Sequence, residues 1–229
     1  MEQKKVAGIV REVLLSEPSL YKCLEMGVLN YSKVASKLKP VVSRLVGRDV
    51  SVESIKMALV RLRSKVTEQP PVASREVLGV LANSRVEVRT GVVIVIVGSG
   101  YLQSTMAAIA KVSSKARFMA IMQSGFATTI VLDEESANEL IGMLDKKSII
   151  EVQRDQAAIV VVSPRDVMWV PGVIAYITGV LAQNGINIVH IESCYTDTVI
   201  VVSREELLTA FNTLVKHIEI AKALLAKAS

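Results

Sequence analysis

Two cysteines, two histidines and one tryptophan are all that the 229 residues hold of those types. Cys23 and Cys194 have no partner at metal-ligand spacing, which argues against a zinc module and against a disulfide scaffold; both read as reduced, partly buried thiols. His190 and His217 stand alone, too few for a metal centre, and His190 falls on an expected strand, where a packed ring is the commoner role. Aromatics make up only 4% of a chain that is 51% hydrophobic, so Val, Ile, Leu and Ala must build the core. No apolar run reaches bilayer length: Gly91–Gly98 and Ala157–Val162 are strand-sized. A basic-then-apolar leader is also missing, and the expectation is a soluble, cytoplasmic protein that engages no membrane. A nucleophile–base pair, a phosphate loop and a metal cluster are absent from the sequence. Gly98-Ser99-Gly100 lacks the rest of a dinucleotide pattern and reads as a tight turn. No enzyme activity, cofactor or metal is expected.

Charge is present, and unevenly. Residues 1–70 hold 13 Lys and Arg against seven Asp and Glu, while the rest of the chain is nearly balanced. An excess confined to one end points to an anionic partner for that end. The same third is helical in pattern. Val6, Ile9, Val10, Val13 and Leu14 make a 3.6-residue stripe. Pro18 opens a short second helix that Gly27 closes. Asn30 is a candidate N-cap for Tyr31–Leu38, after which Pro40 is expected to bend or break the chain. Ser51 caps a longer helix, reaching about Val66, in which Val52, Ile55, Leu59, Leu62 and Val66 share one face. Lys56, Arg61, Arg63 and Lys65 fall outside that face and are the candidate DNA-contacting residues. Asn30–Arg63 resembles the helix-turn-helix and winged-helix DNA-binding families, with NYSKVASKL as support helix and SVESIKMALVRLRSK as recognition helix. About a dozen residues separate the two where the motif has a short turn. The other reading of the same residues is a basic, solvated helical bundle used for dimerisation.

Thr67–Val72, with Pro70-Pro71, reads as a stiff linker, and the region 71–85 joins the helical part, 1–70, to the remainder; Arg75–Leu81 can add a short helix. Residues 86–154 then follow the order β-α-β-β-α-β. The strands are Val86–Val97, Ala116–Gln123, Phe126–Leu132 and Ser148–Val152; the helices are Leu102–Ser113 and Ser136–Leu144. From 155 to 229 the order begins again. Gln156–Ser163 is a strand, Pro171-Gly172 opens the helix Val173–Ala182, and Asn184-Gly185 stops it. Ile186–Ile191 and Thr196–Val202 read as strands, and Arg204–Lys216 reads as a second helix. A short joint, Gln153–Gln156, separates the two units. The last strand of the second is missing or very short, because HIEIAKALLAKAS continues as helix.

Pro171-Gly172-Val173, the helix with Leu181-Ala182, Gly185-Ile186-Asn187-Ile188 and the β run ending at Val201-Val202 together resemble the ACT domain, the small regulatory module attached to many amino-acid biosynthetic enzymes. The nearest flavour is the regulatory part of aspartokinases. The resemblance implies an α+β fold, with a helix-turn-helix-like all-α domain followed by two ferredoxin-like βαββαβ (ACT) domains packed side by side. It implies a homodimer or higher homo-oligomer whose effector, an amino acid, lies between paired units. The effector would touch the first loop of one unit, here Asp166, Val170, Pro171, Gly172 and Val173, and the second strand of another, here Asn187, Ile188 and Val189. Gly172 would let a carboxylate approach the helix N-terminus, and Asn187 offers a donor and an acceptor. Asp166 can equally be a solvated loop carboxylate, and Trp169 either a wall of the site or an interface anchor. The first unit lacks the Pro-Gly; its loop is Gly98-Ser99-Gly100-Tyr101. The expected function is amino-acid-responsive transcriptional regulation, with a small-molecule effector and DNA as partners. The alternative is a non-catalytic regulatory or scaffolding subunit of an amino-acid biosynthetic enzyme.

Overall fold

A computed structural model describes residues 6–65 and 74–226 and divides the chain into two compact units, Met1–Ala73 and Ser74–Ser229. Val66 and the expected linker Thr67–Val72 lie outside the described residues.

The first unit consists, among its described residues, of four helices: α1 (Val6–Leu15), α2 (Pro18–Glu25), α3 (Tyr31–Val46) and α4 (Val52–Arg63). The stripe on α1 is buried as patterned, with Ile9, Val10, Val13 and Leu14 meeting Leu24, Val34, Ala35, Leu38 and Val42. On α4, Ile55 and Leu59 are fully buried while Val52 and Leu62 pack against the core from its rim. The Asn30 side chain accepts the Lys33 N–H at 3.0 Å and the Ser51 hydroxyl accepts the Ser54 N–H at 3.2 Å, so both expected N-caps form. The expected break at Pro40 does not occur. α3 runs through it to Val46, because Pro40 faces solvent, where water can satisfy the carbonyl one turn back that has lost its N–H partner. Gly47, at φ +82°, ends the helix instead. Only Gly47–Ser51 then separates α3 from α4, not a dozen residues.

The second unit is a six-stranded antiparallel sheet in the order β2-β3-β1-β4-β6-β5. Its elements are α5 (Arg75–Ala82), β1 (Arg85–Gly98), α6 (Leu102–Val112), β2 (Met119–Gln123), β3 (Ala127–Asp133) and α7 (Glu134–Met143). They continue with β4 (Ile149–Val162), α8 (Val173–Gln183), β5 (His190–Cys194), β6 (Asp197–Ser203) and α9 (Leu207–Ala226). The two central strands, β1 and β4, are 14 residues each, and both are kinked: Gly91 at φ +64° on β1 and Asp155 at φ +56° on β4. The register between them slips at that point, Arg89 facing Ala158 but Val92 facing Gln156.

This kink overturns two expectations. The joint Gln153–Gln156 is not a joint; it lies inside the continuous strand β4. The end of the expected linker 71–85 is not a linker either: α5 packs on α9, and Arg85–Arg89 form the strand that completes the second half of the sheet, pairing with Ala158–Val162. The missing last strand of the second βαββα segment is thus supplied from a stretch that precedes the first one. Each central strand serves both halves, its two ends lying on either side of the kink.

Within this unit, side-chain alternation puts the helices α5–α9 on one face of the sheet. Val93, Val95 and Val97 join Ala108, Ile109, Val112, Ala137 and Leu140 of α6 and α7. Val161 meets Ile177, Val180 and Leu214 of α8 and α9. On the opposite face Val92, Ile94, Val131, Ala158 and Val201 form a separate buried cluster that spans both halves. Ile159, Ile177, Leu181 and Ile200 are fully buried, and truncating any of them to Ala would cost about 2–5 kcal/mol. The expected strand Ile186–Ile191 begins only at His190. Ile186 is a buried residue of the loop between α8 and β5, and its hydrophobicity reflects that burial rather than a strand.

Candidate functional site

The Pro-Gly loop is built at the C-terminal end of β4. Ser163 is buried, and its N–H donates to the Thr196 carbonyl at 2.8 Å. The first half repeats the contact, Ser99 N–H to the Phe126 carbonyl at 3.0 Å, so each β-to-α loop is pinned to the neighbouring hairpin. The Ser163 hydroxyl is hydrogen-bonded to that of Ser84 at 2.9 Å, which ties the loop to the link between α5 and β1. A 3-10 turn, Arg165–Met168, follows; the Asp166 carbonyl accepts the N–H groups of Trp169 and Val170, both at 3.0 Å.

Gly172 then takes φ +99° and serves as the N-cap of α8. An L-residue is strained there, which is the local reason for glycine. With no side chain to accept their hydrogen bonds, the first N–H groups of α8 are uncapped. Such a helix end favours an anion by its free donors and by the macrodipole. A Cβ on Gly172 would stand 3.6 Å from Val77 Cγ2, so α5 flanks the loop on one side. Asp166 and Pro171 are exposed, Val170 is half-buried, and Val173 is a core residue that anchors the helix start. Trp169 is 70% exposed and Tyr195 is 50% exposed, with the Arg165 guanidinium 5.2 Å from the Tyr195 ring centroid.

The second group of expected residues sits elsewhere. Asn187 and Val189 are exposed and Ile188 is half-buried. The Asn187 N–H donates to Glu206 Oε1 at 2.9 Å and the Val189 N–H to the Val201 carbonyl at 2.8 Å. Val162 pairs with Asp197 at one end of β6 and Gln156 with Ser203 at the other. The loop 166–173 is at the first end and Asn187–Val189 at the second, about 20 Å apart along the strands. One chain does not bring the two groups together.

Sequence reasoning missed Ser84, Ser163, Arg165, Tyr195 and α5 as parts of this loop. The signal for Ser84 and Ser163 was slight, two small polar residues flanking strands; nothing in the sequence pairs them. His190 opens β5 with a side chain only 10% exposed; its Nε2 has no hydrogen-bond partner and lies 4.0 Å from Glu192 Oε2. Cys23 is half-buried against the helical core, but Cys194 is exposed, contrary to expectation.

On the helical unit the four candidate DNA-contacting cations do not share a face. Arg61 and Lys65, one turn apart, line the cleft between α1 and α4. Lys56 and Arg63, seven residues apart, lie on another side; both are half-buried, and Lys56 is paired with Glu53 at 3.4 Å.

Residues 151–216 match the family model of the ACT domain. No curated protein matches the chain. Among solved structures, it is similar to the aspartate kinase of Clostridium acetobutylicum, at 13% identity over 58% of this chain with a TM-score of 0.47. The chain spans about a third of that enzyme, 34% of its length. It is also similar to a structure of aspartokinase alpha and beta subunits, at 17% identity over 58% of this chain and 97% of that one, with a TM-score of 0.49. The regulatory subunit of aspartate kinase from Thermus thermophilus, in ligand-free form, gives 17% identity over 58% of this chain and 95% of that one, with a TM-score of 0.47.

Proposed function

We propose that this chain is an amino-acid-responsive regulator: its sheet-and-helix unit acts as a pair of ACT-type sensors and its basic helical unit binds DNA. The observation that carries the sensing half is the uncapped N-terminus of α8 behind Gly172, in the segment that matches the ACT model. An amino acid's carboxylate meets the free N–H groups there, and Asp166 takes its ammonium. Asn187–Val189, at the far end of the sheet, contribute from a second chain, so the effector lies between subunits of a homodimer. Because the ligand bridges two chains, it binds one dimer geometry better than another, and that difference is the regulatory signal. A change in dimer geometry alters the spacing of two DNA-binding heads. Thermal shift against the twenty amino acids tests the first half: a ligand specific to the folded state raises the melting temperature, and no shift with any of them removes the sensor reading.

The DNA half rests on the excess of six positive charges in residues 1–70. A second reading, a non-catalytic subunit that docks on an amino-acid biosynthetic enzyme, is favoured by one observation: the α4 cations are split between two sides of the helix. A gel-shift titration over a salt series separates the two. Phosphate contact gives a steep loss of affinity with salt, and no binding at low salt favours the docking subunit.

A further inference from the structure

We propose that the cleft between α1 and α4 binds an organic phosphate, the phosphate being held by Arg11, Arg61 and Lys65. The cleft has a volume of about 560 Å³ and is lined by Ala7, Arg11, Tyr21, Ala58, Arg61, Leu62 and Lys65. Three cations therefore converge on it with no carboxylate among the lining residues. Lys22, Lys39 and Lys56 of the same unit each have an acid within 3.1–3.5 Å. The charged side-chain groups of Arg11, Arg61 and Lys65 have no ion pair or hydrogen bond among the described residues. Like charges one helical turn apart repel, and Arg11 adds a third from the opposite wall, so the empty cleft carries an electrostatic cost that an anion removes.

The chemistry selects the anion. A carboxylate offers one negative charge and two oxygens; a phosphate monoester approaches two charges and three oxygens, and matches two guanidinium forks and an ammonium. The rest of the cleft selects the body attached to it. Ala7 and Ala58 give depth because their side chains are short, and Leu62 and the half-buried Tyr21 present apolar and aromatic surface. The volume is in the range of sites for small organic ligands and far exceeds one phosphate. This inference does not depend on the DNA reading, although a nucleic-acid backbone is one source of the same group.

Calorimetry on the full chain, in metal-free buffer at low salt, tests it with inorganic pyrophosphate and adenosine 5′-diphosphate as probes. Both are expected to bind saturably. Arg11→Gln and Arg61→Gln are each expected to weaken binding about tenfold or more. Lys37→Gln, exposed on α3 away from the cleft, is expected to leave it unchanged. Melting curves of the variants keep loss of fold distinct from loss of binding. A short DNA duplex that pyrophosphate displaces, and that Arg61→Gln fails to hold, assigns the phosphate to a nucleic-acid backbone. Binding of the diphosphate without DNA binding assigns it to a free ligand. No saturable heat with either probe up to about 1 mM, or equal losses in Lys37→Gln and Arg61→Gln, overturns the proposal.

Discussion

The Glu206 carboxylate accepts the Asn187 N–H at 2.9 Å through one oxygen and the Ser203 hydroxyl at 2.7 Å through the other. One side chain, just before α9, therefore fixes the loop that leads into β5. The Asn187 N–H, then Ser203, hold its carboxyl below the ordinary Glu value of 4.5. A depressed carboxylate stabilises the fold above its unfolded value and loses that contribution as pH falls through the folded one. Glu206→Ala should destabilise the sheet unit by roughly 0.5–1.5 kcal/mol near neutral pH, because water can replace part of what is lost. Urea denaturation followed by the fluorescence of Trp169, the only tryptophan, reports on this unit. A midpoint unchanged from wild type at pH 7 would show that the contact holds nothing in place.

Two glycines near α8 should respond in opposite directions. Gly172, at φ +99°, forces any L-residue into strain, and Gly172→Ala should cost about 1–3 kcal/mol. Gly179 is inside the helix with nothing within 4 Å of an added Cβ, so Gly179→Ala should stabilise by about 0.5–1 kcal/mol. Thermal melts of the two variants give the signs directly; a neutral Gly172→Ala would mean the turn is relaxed in solution.

The Tyr176 hydroxyl lies 2.8 Å from His217 Nδ1, joining α8 to α9. Burial, and next the charge of Lys216, pushes the imidazole below its ordinary value of 6.5. The fold thus favours neutral His217. Its stabilising effect is complete above about pH 6.5 and is lost as pH falls below that value. His217→Gln should flatten the fall in melting temperature between pH 7.5 and about 5. An identical pH profile in variant and wild type would remove His217 as its source.

A fragment limited to the ACT-matching residues 151–216 should not fold, since Arg85–Arg89 and α5 are absent from it. A fragment of residues 74–229 should fold. Dispersion of amide proton resonances distinguishes them, and a dispersed spectrum from 151–216 would show that the borrowed strand is dispensable.

Much of the architecture was legible in local pattern. The stripe on α1, the N-caps at Asn30 and Ser51, the left-handed Gly185 that ends α8 and, apart from the two expected strands that fuse into β4, the strand–helix order from 86 to 202 follow from side-chain periodicity and turn chemistry. The reading of Pro40 went wrong because a proline's cost depends on what its orphaned carbonyl faces, and only the packed helix shows that it faces water. The pattern predicts a strand at Ile186 because burial from a loop and burial in a sheet select the same residue type.

What the sequence by itself determined is which segments become helix or strand and which loop carries an uncapped helix end. These depend on neighbours within about one or two turns of chain. Only the tertiary structure decided that Arg85–Arg89 completes the sheet beside Ala158–Val162, some 70 residues away. It alone separated Asp166–Val173 from Asn187–Val189, and gathered Arg11, Tyr21, Arg61 and Lys65 around one cleft. The physical reason is that strand pairing and helix packing bring together residues remote in the chain by burying shared apolar surface, and no single segment carries the address of its partner.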